Sequence, residues 1–177
     1  MPQTMSPYIG GTGNPDTAYE LISTVPGSYS PYAPGDLGNT FEYGSKMYRK
    51  VQVETAPNAI VAGQLAYWKD RVNGIVTNVA ANALLSGVAA SNRNNVAGVF
   101  RGVVPANAQC FILVRGLTPV LEAGAGAGGM LLVANTGTAS DALGVAIGTA
   151  PPVKQIGTVV TGFSAGKVTA NIDVLNS

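Results

Sequence analysis

The chain has 177 residues, 46% of them hydrophobic and only 11% charged, with a net charge of +1. That length fits one domain with an appendage, and so even a balance of charge gives no case for nucleic acid or a membrane as partner. There is no histidine, and Cys110 is the single cysteine. The commonest general base, zinc sites built from Cys and His, and an intrachain disulfide are therefore excluded.

The first 45 residues differ from the rest. They hold six of the eleven prolines and five of the seven tyrosines, with four acids and no Lys or Arg. The remainder carries ten bases against five acids. The opening MPQTMSPYIGG lacks a basic region followed by an apolar core, so no signal peptide is expected. Pro and Gly are too dense here for a helical or strand period. One stretch, residues 15–22, is predicted as a short helix capped near Asn14. We therefore read residues 1–44 as an extended acidic arm. Disordered segments are usually poor in aromatics, whereas Tyr offers contact area and a polar tip at low entropy cost. The candidate partner-binding residues are thus Tyr8, Tyr19, Tyr29, Tyr32 and Tyr43, with the acids Asp16, Glu20, Asp36 and Glu42.

The body, residues 45–177, opens on an alternating strand at 46–54. Met47, Val51 and Val53 share one face, Arg49 interrupts it, and Tyr48, Lys50, Gln52 and Glu54 take the other. Further strands are predicted at 64–69, 74–79 and 84–90. Residues 96–104 and 109–115 form a hairpin around Pro105–Ala108. Later strands fall at 118–121, 129–134, 143–148, 157–163 and 167–175, and Ser140-Asp141 is read as the cap of a single helical turn. The last strand alternates most cleanly, with Val168, Ala170, Ile172 and Val174 inward. Nine or ten short strands with regular turn signals describe an all-β fold, a small barrel or sandwich. A weak echo at about sixty residues suggests two similar modules, 45–116 and 117–177.

No chemistry stands out. The body acids are scattered singly and read as solvated charge. Gly124 to Gly129 fits G-x-G-x-x-G, but Asn135-Thr136-Gly137 stops the following apolar run and no acid lies about twenty residues on, so no dinucleotide cofactor is expected. No D-x-[DN]-x-[DN]-G loop exists for calcium. Arg49, Lys50, Lys69 and Arg71, with Tyr48, Tyr67 and Trp68, would line a nucleic-acid stacking groove only if the rings were exposed. Cross-strand packing of those residues is the expectation, and Trp68 is expected to be buried. We expect no enzyme, no cofactor and no metal.

The run Asn39-Thr40-Phe41-Glu42-Tyr43-Gly44-Ser45-Lys46-Met47-Tyr48-Arg49-Lys50-Val51, then Ala62-Gly63-Gln64-Leu65-Ala66-Tyr67-Trp68-Lys69-Asp70, resembles head decoration (capsid cement) proteins of tailed bacteriophages. So do Gly87-Val88-Ala89 and Val96 to Val104 leading into Cys110 to Gly116. The resemblance covers residues 39–175. It implies a small β barrel with an N-terminal arm, assembled in the host cytoplasm and bound to the outer capsid surface. It further implies the major capsid protein and neighbouring copies as partners, a trimer being preferred. The alternatives are another virion component (head fibre base, tail tube or tail-tip module) or a carbohydrate-binding adhesin module.

Overall fold

The computed structural model describes residues 15–16, 19–21, 37–55, 57–79, 82–83, 95–124, 126–134, 142–145 and 155–175. Among them are eleven strands: β1 (Tyr19–Leu21), β2 (Thr40–Tyr43), β3 (Lys46–Val53), β4 (Leu65–Asp70), β5 (Ile75–Thr77), β6 (Val96–Phe100), β7 (Ala108–Leu121), β8 (Leu131–Ala134), β9 (Ala142–Val145), β10 (Gln155–Ser164) and β11 (Lys167–Asp173). The fold is all-β, as expected, with the expected β6–β7 hairpin in place.

Five strands close a barrel. The order β3-β5-β4-β6-β7 returns to its start through a β3–β7 ladder. β3 and β5 are parallel, and the other neighbours are antiparallel. Val51, Val53, Ala66, Trp68, Val76, Ala97, Phe100, Cys110 and Ile112 fill the interior, at two-residue spacing along most of each strand. A second sheet, β11-β10-β8-β9, hangs from the far half of β7. Its inward residues, among them Leu132, Ile156, Val159, Val168, Ala170 and Ile172, cluster with the outward side chains of the barrel wall, Tyr48, Leu65, Tyr67, Val99, Phe111 and Leu113. The barrel wall is thus apolar on both faces, which explains why β4, β6 and the first half of β7 read as continuous apolar runs.

Several expectations need correction. The segments read as separate strands at 109–115 and 118–121 are one strand, β7, which runs through the 116/117 position. In β3 the register shifts between Met47 and Tyr48, so Met47 leaves the face of Val51 and Val53 and packs against the outer cluster. Tyr48, placed outward by simple alternation, is 1% exposed. The helix expected at 15–22 does not form: Pro15-Asp16 is a turn and Tyr19–Leu21 is a strand. Pairing with the open edge of β7 overrides the weak helical preference of that stretch. The strand expected at 84–90 and the helical turn at Ser140-Asp141 lie outside the described residues.

Two backbone details are open to test. Gly157 sits where β10 and β11 approach closely, and a Cβ there would lie 2.4 Å from the Asn171 carbonyl oxygen. Gly157→Ala should therefore push the strands apart and cost about 1–3 kcal/mol in denaturant unfolding. The β10–β11 turn places Ala165 and Gly166 between Ser164 and Lys167, with φ of +51° and +76°. Positive φ at both centres is the type I′ geometry, which favours Asn at the first position. Ala165→Asn is expected to raise the melting temperature, with a gain of about 0.5–1 kcal/mol.

Candidate partner interface at the arm junction

The N-terminal segment enters the sheet at two places. β1 pairs antiparallel with the start of β7, Tyr19 opposite Cys110 and Leu21 opposite Ala108. β6 pairs with the same strand at Leu113 and Ile112, and β11 at Arg115 to Leu121. β3 takes the other edge of β7 from Gln109 to Arg115. β1 thus occupies the stretch of β7 left open where β6 ends. β2 forms a hairpin with β3 through Gly44-Ser45 and is a terminal strand of the sheet. Phe41 packs from β2 onto Tyr48 and Phe111, with ring centroids 5.7 and 4.7 Å away.

A polar cluster fixes the turn before β1. The Tyr48 hydroxyl donates to Asp16 Oδ1 at 2.6 Å. Arg101 Nε donates to the same oxygen at 3.0 Å, and Arg101 Nη2 and Lys46 Nζ each reach Oδ2 at 3.2 Å. Arg101 also donates to the Thr118 hydroxyl of β7. Partial burial alone would raise the Asp16 pKa. The hydrogen bonds from Arg101 and Tyr48 and the Arg101 charge outweigh it and hold the pKa at about 2. Burial, and the hydrogen bond to the Asp16 carboxylate, push the Tyr48 phenol upward.

Magnitudes show why this cluster is needed. Fixing the backbone of three residues costs about 3–6 kcal/mol. A ladder as short as β1 returns only roughly 1–4 kcal/mol. Charge-assisted hydrogen bonds contribute about 1.5–3 kcal/mol each, so the bonds converging on Asp16 decide whether the arm stays docked.

The remaining candidate residues are placed as follows. Glu42 and Tyr43 are exposed on β2, Tyr43 by 48%. Tyr19 and Glu20 lie in β1. Tyr8, Tyr29, Tyr32 and Asp36 lie outside the described residues. Asp16 is engaged by its own chain, which sequence reasoning missed. The available signal was the pairing of an arm rich in acids with a basic body.

Two other polar clusters sit on the barrel. Arg49, which interrupts the apolar face of β3, donates to the Ala97 carbonyl and lies 5.3 Å from the Trp68 ring centroid. Arg71 lies 5.8 Å from the same ring. Burial, and then the Arg71 charge, lower the Arg49 pKa. Trp68, Tyr67 and Tyr48 are all buried, so their rings face the two cores and do not form a stacking platform. Glu54, read as solvated, is in fact buried: Lys69 donates at 2.5 Å, and Thr77 and Asn82 also donate to it. Burial would raise its pKa, but these three partners bring it below the usual value. Glu122 is likewise buried and accepts from the Gly126 amide at 3.1 Å. Gly126 in the glycine stretch is therefore bonded back to its own chain, and the strand β8 follows. Burial pushes the Cys110 thiol up to about 12. Among the described residues no three His, Cys, Asp or Glu side chains group as metal ligands.

The geometry defines a class by fold: a small β barrel with an added sheet and a latched N-terminal segment. No protein-family model and no curated protein matches the sequence. Among solved structures the chain is similar to the N base of the head fibre gp8.5 of bacteriophage phi29, at 17% identity and a TM-score of 0.48. The match covers 72% of this chain and 95% of that one.

The Asp16 pKa sets a pH window. A carboxylate whose pKa is lower folded than unfolded stabilises fully above the unfolded value, here 3.8, and loses that contribution as pH falls through about 2. An NMR titration of the Asp16 carboxyl should show a midpoint near 2. Arg101→Ala should move that midpoint toward the ordinary value and loosen amide protection across residues 19–21.

Proposed function

We propose that this protein is a non-catalytic structural component of a phage virion: a decoration protein that binds the outer capsid surface and stabilises the head by bridging adjacent major capsid protein subunits. The observation that carries this reading is how the N-terminal segment is built in. One point, Asp16 with β1, is latched to the barrel, and a terminal strand, β2, presents Glu42 and Tyr43 to solvent. The strand β2 gives one ordered contact patch, and the other tyrosines of the anchored arm give a second in this reading. On a lattice that repeats one site many times, two linked weak contacts give far more occupancy than either alone. The resemblance of residues 39–175 to decoration proteins points the same way. Tyr8, Tyr29, Tyr32 and Tyr43 are the aromatic contacts in this reading, with Glu20, Asp36 and Glu42 as acidic ones. Self-association, with a trimer preferred, multiplies the contacts again.

The test uses the full-length protein and purified heads that lack it. Fluorescently labelled protein should bind saturably over the whole head, and heads carrying it should resist heating better. Tyr43→Ala should weaken binding by about tenfold, or about 1.4 kcal/mol, without changing the melting temperature of the free protein. Label at a few discrete positions per head would replace this reading with a fibre base. Label on tails alone would replace it with a tail module. No binding to virions would overturn it.

A further inference from the structure

We infer that β1 and the Asp16 turn form an exchangeable strand, which neighbouring copies of this chain insert into one another. The inference rests on the self-association part of the reading above.

The first support is the acceptor. Without β1, residues Ala108 to Cys110 of β7 would present open backbone groups on the edge where β6 has ended. Arg101, 14% exposed in its side chain, and Lys46 would lose the carboxylate they share. An unpaired edge is a template for an incoming strand, and the two cations beside it select a strand that brings a carboxylate. The docked segment supplies what that template needs: backbone groups from Tyr19–Leu21 and a carboxylate from Asp16.

The second support is reach. Leu21 lies opposite Ala108 of β7, β3 runs along the far edge of β7, and the chain re-enters on the far edge of β3, where the Gly38 amide donates to the Lys50 carbonyl. Three strand spacings of about 4.8 Å and a short shift along the strand make that crossing roughly 15–20 Å. Residues 22–36 join the two points and include Pro26, Pro31 and Pro34. A segment of that length can reach at most about 50 Å when fully extended. The connection is more than twice as long as docking within one chain requires, and long enough to reach an adjacent barrel.

The third support is energetic. The contacts of β1 and Asp16 are the same whether the acceptor belongs to its own chain or a neighbour. Exchange therefore costs no contact, and the choice is set by linker length and local concentration. Copies held side by side on a repeating surface favour the neighbour.

Cross-linking of purified protein tests this without any capsid, so a negative result leaves capsid binding standing. Glu20 and Gln109 are register partners. In a Cys110→Ala background, Glu20→Cys and Gln109→Cys are made in separate chains carrying different tags, refolded together over a range of concentrations and oxidised. Exchange predicts a disulfide-linked hetero-dimer whose yield rises with concentration. A chain carrying both cysteines should run as covalent oligomers at high concentration. Closure of that doubly substituted chain wholly within the monomer at every concentration, with no cross-link in the mixture, overturns the proposal. So does a doubly substituted chain whose thiols stay free, because β1 then does not lie on β7. Should Gln109→Cys fail to fold, the pair Leu21→Cys and Ala108→Cys reads the same register one position along, with the same outcomes.

Discussion

Among the described strands, β7 is the one on which both sheets and the N-terminal segment meet. Its fourteen residues carry β3 along one edge and, in succession along the other, β1, β6 and β11. Cys110 and Ile112 point into the barrel, while Phe111, Leu113 and Val120 reach the outer core. One strand therefore closes the barrel, carries the second sheet and holds the N-terminal segment. A strand that must satisfy backbone partners on both edges and apolar partners on both faces tolerates no shift in register, because a one-residue slip exchanges every side chain between the two cores. The three strands on its second edge come from parts of the sequence more than sixty residues apart, so β7 brings together distant segments as well as its hairpin partner β6.

That constraint explains the polar clusters. Burying a charge is unfavourable unless partners satisfy it. Glu54 stands beside Thr77 and Lys69, and Asp16 stands between Arg101, Lys46 and Tyr48. In each case a carboxylate ties together segments that backbone ladders alone would leave loosely joined. Arg101 bridges two of these segments: it reaches Asp16 in the arm and Thr118 in β7, linking the docked turn to the half of β7 that carries the second sheet. The exposed Arg115–Asp173 contact at 3.5 Å, with both side chains 41% exposed, is different in kind, since such surface pairs contribute little.

Much of the fold was legible in the sequence because barrel and sheet strands alternate. Val168, Ala170, Ile172 and Val174 face inward as their two-residue spacing requires, and Trp68 is buried as expected. What failed to show was what depends on distant partners. Nothing local in Tyr19–Leu21 marks a strand; its partner is some ninety residues away. Tyr48 looked outward until a register shift and a second sheet were known to cover it. Arg49 looked like a break in an apolar face, yet the face continues beneath it as the Trp68 ring. Glu54 looked solvated because the donors that satisfy it come from residues 69, 77 and 82. Of the proposed contact residues, Glu42 and Tyr43 are exposed on β2. That Asp16 turns inward was signalled only by the charge contrast between arm and body and not by any local pattern.

The arm is therefore part of the fold as well as an appendage to it. A small β domain must protect its edges, and natural sheets do so with charge, bulges or a covering segment. Here β1 covers an edge of β7, and β2 takes the edge of β3 in line with β5. The same stretch holds most of the tyrosines and nearly half of the acids in the chain. Covering sheet edges and, in the proposed reading, presenting a contact surface thus fall to one segment, which Asp16 ties to the barrel. A contact that pulls on the arm must work against the Arg101, Lys46 and Tyr48 bonds. A contact that leaves the latch closed gains a pre-ordered strand without the entropy cost of ordering it. In the proposed reading, binding next to a closed latch is consequently favoured over binding that opens it, and β2, held by β3 and braced by Phe41 on Tyr48, is the described strand of the arm already ordered for it.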